Sequence, residues 1–202
     1  MIRFLSIFTA ILFSFSLSHA VEELSIENID YMQADILNLR KLDRQFDIIE
    51  SAGVLHHMED PMEGWRVLTD CLKQGGLMKI GLYSELARRD IVAIRNEIKD
   101  SGIRTSDLEM RSFRNDIINS EKYYYKTILF FEDFYSLSTL RDLLFHVQEH
   151  RFTLPQIKDC LSELGLKFCG LAEVDIVQKF KSNNIGADDP YDLDKWNTYE
   201  EA

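Results

Sequence analysis

Apolar positions along this chain fall into short continuous runs separated by stripes at helical spacing. The run FDIIESAG closes on small residues, which predicts a buried strand over Asp47–Glu50 that leaves its sheet at Ser51. A shorter strand-like stretch, Ile29–Met32, ends in the polar Gln33-Ala34-Asp35, and LMKIGLY predicts a third strand over Leu77–Leu82. Between them PMEGWRVLTDCLKQGG predicts a helix over Met62–Lys73. Pro61 suits its first turn, where a missing N–H costs nothing; Trp65, Leu68 and Leu72 recur on one face, and Gly75-Gly76 supplies a stop. A helix over Glu85–Asp100 carries Ile91, Ile94 and Ile98 on one face. An aromatic-rich helical section runs to about Phe145. TLPQIKDCLSELGLKFCGLAEV then predicts a helix over Pro155–Leu164 and a further strand. Thr153 and Gln156 stand at capping-box spacing, Leu154, Ile157, Leu161 and Leu164 form the stripe, and Gly165 ends it. No internal repeat interrupts this alternation, which predicts an α/β sandwich with a mainly parallel sheet.

At 202 residues and 46% hydrophobic content the chain suits one domain with a small extra lobe. Its formal charge of −11 argues against non-specific partnership with nucleic acid or anionic membranes. The acidic residues concentrate in ADDPYDLDKWNTYEEA, which predicts a solvated tail over 181–202. Cys71, Cys160 and Cys169 are scattered without metal or disulfide spacing, as in a reducing, cytoplasmic protein. The start of the chain points the other way. Arg3, the apolar stretch Phe4 to Leu17 and Ser18-His19-Ala20 make residues 1–21 signal-like, so secretion, or membrane contact through residues 4–17, stays open.

Candidate chemistry centres on GVLHHMEDP, Gly53 to Pro61. Adjacent histidines on a turn point apart and no third ligand lies near in sequence, so no metal site is expected. His57 suits a general base near neutral pH, or simple packing at a helix entry. Tyr123, Tyr124, Tyr125 and Phe131 suit either a pocket lining or, preferably, a satellite core.

The series YMQADIL, FDIIESAGVLHHMEDP, LKQGGLMKIGLYS and TLPQIKDCLSELGL, in this order, resembles class I S-adenosylmethionine-dependent methyltransferases of the bacterial small-molecule type, the type 11 and 12 domains. The likeness covers roughly residues 22–195. It implies S-adenosyl-L-methionine as cofactor and a small-molecule substrate. It places Asp35 as acceptor of the adenine amino group and the Ile36 N–H as donor to a ring nitrogen. It places Ser51, Ala52, Gly53 and Val54 against the methionine part. The alternatives are that Asp35 caps the following turn and that residues 50–53 are a plain strand end. A sulfonium is already strongly electrophilic, so positioning carries much of the rate and no catalytic residue is named.

The chain also departs from the family, whose first strand leads into a glycine-rich turn and whose second ends in a ribose-binding acid. No glycine precedes Gly53 here. The expectation is an incomplete Rossmann-like methyltransferase sandwich with a helical insertion at about 104–146, the partial domain spanning 22–180, as from a truncated reading frame. The apolar N-terminal run is a candidate substitute strand, and cofactor binding is expected to be weak or absent. The competing reading is a non-enzymatic α/β binding remnant, secreted or membrane-tethered.

Overall fold

The structure, a computed structural model, describes residues 4–8, 30, 32–146, 148–182 and 189–202. Its central sheet has the order β1 (Phe4–Phe8), β2 (Phe46–Ala52), β3 (Leu72–Gly81), and both pairings are parallel. The apolar start of the chain therefore does join the sheet: Phe4 faces Ile48 and Phe8 faces Ala52 across β2. Paired on both sides, β2 has no open edge, and Ile49 and Ser51 on its inner face are fully buried. The remainder of the signal-like run, residues 9–21, lies outside the described residues.

Three expectations need correction. Of the strand expected at Ile29–Met32, Asp30 and Met32 are exposed and irregular, while Ile29 and Tyr31 lie outside the described residues. The chain instead enters a 3-10 turn over Ile36–Leu42, which buries Ile36 and Leu39. Arg40 holds that turn to Asp70 at 2.7 Å. Second, Gly75-Gly76 does not stop the first helix. That helix, α1 (Pro61–Cys71), is started by Asp60, whose carboxylate accepts from the Met62 and Glu63 N–H groups at 2.8 and 3.2 Å, and it hands over directly to β3 at Leu72. The glycine pair lies in an irregular stretch of β3, where register jumps from Phe46↔Leu72 to Ile48↔Leu77 and Gly75 adopts φ 75°. Third, no strand follows at residues 166–173, where Gly170 turns the chain at φ 111°.

Beyond β3, Tyr83–Ser84 (β4) pairs in parallel with Arg151–Phe152 (β5). Between them stand α2 (Arg89–Asp100), α3 (Asp107–Asn119), α4 (Tyr123–Ile128) and α5 (Leu137–Phe145). These helices share a core of Ile91, Ile94, Ile98, Phe113, Ile117, Tyr125, Ile128, Phe134 and Leu140. Tyr125 sits inside it and Tyr124 is half-buried against it, so these two belong to a satellite core, whereas Tyr123 and Phe131 are exposed. Because α2 supplies three of these core residues, the helical lobe begins about fifteen residues before the expected insertion.

After β5 comes α6 (Leu154–Glu163), with the expected capping box between Thr153 and Gln156. Its stripe is half-buried, and Ile157, Leu161 and Leu164 pack on the sheet's core. Then follow α7 (Val174–Ser182) and α8 (Leu193–Glu201). The acidic segment is thus no solvated tail. Trp196 is buried, stacks on Phe180 at 3.9 Å, and donates its indole N–H to Pro190 O at 2.9 Å. Among the described residues no helix is long and apolar enough to cross a membrane.

Candidate functional site

The carboxyl ends of β2 and β3 open onto the helical lobe, the place where open α/β sheets bind ligands. A cleft of about 370 Å³ lies there, lined from the sheet side by Gly53, His57, Tyr83 and Arg88, and from the lobe by Asp133, Thr139, Asp142, Leu143 and His146.

Gly53 leaves β2 at φ 72°, a left-handed conformation in which a side chain is strained, so the backbone itself forms the cleft wall. The ends of β2 and β3 also approach closely: a Cβ on Gly81 would stand 3.3 Å from Ala52 Cα. Ser51 Oγ is buried without a hydrogen-bond partner. Asp35 sits at the exposed N-cap of the 3-10 turn, accepting from the Leu37 N–H at 2.9 Å. That is its alternative role, and it engages only one carboxylate oxygen. Ile36 lies in the buried cluster that also holds Ile49 and Leu55, and Val54 packs against the same cluster. Ile36 and Val54 thus share one core, but of the cofactor residues singled out by sequence only Gly53 lines the cleft.

The histidines separate in role. His56 is fully buried, its ring 3.9 Å from that of Tyr83, and neither ring nitrogen reaches a hydrogen-bond partner of ordinary geometry. Burial, then the neighbouring His57, push its pKa down to about 4, although the Gly81 backbone favours the proton. His57 is half-buried and lines the cleft. Burial lowers its pKa too, against opposing help from the Gln148 carbonyl, which lies 3.1 Å from His57 Nδ1. No group of three or more metal-ligating side chains exists among the described residues.

Behind the cleft lies a polar hub that the sequence reading missed. Glu149, with only 1% of its side chain exposed, pairs with Arg88 at 3.1 Å and Arg95 at 2.9 Å, and Arg151 stands 3.9 Å away. The Arg88 guanidinium lies over the Tyr83 ring, 3.5 Å from its centroid. Arg95 also donates to the Leu143 carbonyl, satisfying the end of α5. Gln148 and His150 dock this segment on the histidine turn: Gln148 Nε2 donates to Met58 O at 3.0 Å and the His150 N–H donates to His56 O at 2.8 Å. The run HVQEHR, polar and charged straight after the aromatic section, was the one available signal.

With this geometry in hand, residues 4–80 match the family described as methyltransferase domain. An uncharacterized protein of Synechococcus sp. is 27% identical over 183 residues, covering 86% of this chain and 44% of the relative. Among solved structures, PKMT2 of Rickettsia typhi in complex with AdoHcy aligns over 91% of this chain and 38% of its own at 17% identity, with a TM-score of 0.58. PKMT2 alone aligns over the same shares at 16% identity and a TM-score of 0.60. The chain spans less than half the length of each of these proteins. The match over residues 4–80 begins at the strand β1. Residues 4–80 are thus similar to a methyltransferase domain, and the α/β fold of the chain is shared with PKMT2.

Proposed function

We propose that the chain is the cofactor- and substrate-facing part of an S-adenosylmethionine-dependent methyltransferase acting on a small molecule. The observation that carries this is the cleft at the carboxyl ends of β2 and β3, walled by the backbone of Gly53. Bound there, S-adenosyl-L-methionine supplies an activated methyl group on a sulfonium. The protein's part is placement. Asp35 keeps one carboxylate oxygen for an adenine amino group, and the Ile36 N–H stands beside it. The Gly53 backbone meets the methionine portion, with Ser51, Ala52 and Val54 beside and behind it. A cleft of about 370 Å³ suits a compact substrate rather than a macromolecular strand. The scattered, unpaired cysteines favour a cytoplasmic setting, and the charge of −11 disfavours nucleic acid as partner.

Binding by these 202 residues is weak. No glycine stands before Gly53, and we infer from this that the chain lacks the glycine-rich turn and the ribose-binding acid that follows it in the family. Two missing charge-assisted hydrogen bonds, at about 1.5–3 kcal/mol each, lower affinity by about two to four orders of magnitude. Reckoned from a micromolar reference, the dissociation constant given by calorimetric titration of the folded chain with S-adenosylmethionine should be about 0.1–10 mM. A micromolar constant that is lost on Asp35→Ala would overturn the weak-binding claim while keeping the site.

A further inference from the structure

Two histidine rings line the cleft, and one residue, Gln148, fixes the proton position on both. His57 Nδ1 lies 3.1 Å from the Gln148 carbonyl oxygen. A carbonyl only accepts, so Nδ1 carries the hydrogen and Nε2 keeps its lone pair. His146 meets the opposite group: its Nδ1 lies 3.2 Å from the Gln148 N–H, which only donates. There Nδ1 keeps the lone pair, and in the neutral ring Nε2 carries the hydrogen. The two rings are 4.1 Å apart between centroids and tilted by 34°. With each Nδ1 engaged, the polar atoms that remain are an acceptor, His57 Nε2, and a donor, His146 Nε2–H.

We propose that this opposed pair is the recognition site for the methyl acceptor of the function argued above, and that the acceptor group is a hydroxyl. A hydroxyl is both donor and acceptor on one atom: its hydrogen meets His57 Nε2 and a lone pair takes the His146 Nε2–H. As its oxygen bonds the methyl carbon, the carbon–sulfur electron pair returns to sulfur and the hydroxyl proton passes to His57 Nε2. His57 is kept neutral by burial, with His146 opposing its charging, while Glu149 and Asp142 favour the imidazolium once it forms. His56 and Tyr83 complete the ring's surroundings, at 4.3 and 6.3 Å between centroids. A primary amine, protonated at neutral pH, offers no lone pair to pair with a donor, so the pair selects against it.

The test needs no known substrate. Nitrogen NMR of the full chain labelled in its histidines should show, near neutral pH, opposed tautomers: hydrogen on Nδ1 of His57 and on Nε2 of His146. Phenol, the simplest aromatic hydroxyl probe, should shift both ring systems saturably, whereas anisole, its methyl ether, and benzylamine should not. The same tautomer on both rings, or equal shifts with anisole, overturns the proposal. A parallel titration with S-adenosylhomocysteine, read at Ser51–Val54, tests the cofactor site separately. A phenol response without an S-adenosylhomocysteine response leaves the hydroxyl site standing and removes the methyl-transfer reading.

Discussion

The sheet and the helical lobe are cores of different kinds. The sheet's core draws Leu5, Ile49, Trp65, Leu68, Ile80 and Leu166 from across most of the chain, so it exists only when distant segments meet. The lobe's core lies within residues 91–145, and it is mostly branched aliphatic residues around Phe113, Tyr125 and Phe134. Local contacts of that kind form early and cheaply, whereas parallel strand pairing must first close long loops. The cleft lies at the junction of the two, where Leu143 of the lobe core meets Gly53 of the sheet, and Glu149, just before β5, pairs there with Arg88 at the start of α2 and Arg95 within it. Placement of the site is therefore a property of the junction, not of either half.

The sharpest way to break this comparison is Glu149→Ala. It leaves Arg88 and Arg95 as uncompensated buried charges, and should destabilise the protein by about 3–5 kcal/mol. Chemical denaturation should also lose its single transition if the hub couples the two regions. A single unchanged transition would show that they are joined elsewhere. Within the lobe, Phe134→Ala should cost about 3–5 kcal/mol, and within the sheet Ile49→Ala about 2–5 kcal/mol. Far-ultraviolet dichroism should separate them, the first losing helix and the second losing more of the whole fold.

Next in size is acid sensitivity. His56 is buried neutral with its pKa lowered to about 4 from 6.5, so below pH 6.5 the unfolded chain binds the proton that the folded chain refuses. Its contribution is complete above pH 6.5 and is lost as pH falls toward 4, a loss of roughly 3 kcal/mol. Denaturation midpoints across that window should fall in the native protein, and more shallowly in His56→Phe. An identical slope in the variant would place the sensitivity in other groups.

Much of the sheet half was legible beforehand. The runs FDIIESA and LMKIG, Pro61 in a first helical turn and the box at Thr153–Gln156 are local signals, and the structure keeps all four. What misled was local chemistry overridden by context. An apolar start suits a signal and a strand equally, and only pairing with β2 gives Phe4–Phe8 its role. Gly75-Gly76 has helix-stopping character, yet serves an irregular strand. In the site, Gly53 and its neighbours were readable because strand ends announce themselves. Arg88, His146 and Glu149 were not, because Arg88 stands 61 residues from Glu149 and only the docked 148–152 segment unites them.

The smallest expected effect is at Asp35. Its capping bond to Leu37 predicts a loss of about 1 kcal/mol for Asp35→Ala, read by thermal denaturation, so a stable variant remains for binding work.

That variant makes the decisive measurement possible. Backbone amide NMR of the folded chain, titrated with S-adenosylhomocysteine to several millimolar, maps where a weak ligand sits. Graded, saturable shifts are expected at Asp35–Leu37 and Ser51–Val54, vanishing at the adenine end in Asp35→Ala. Shifts confined to the lobe or to α7, or none at any of these amides, would contradict a cofactor site at the carboxyl ends of β2 and β3.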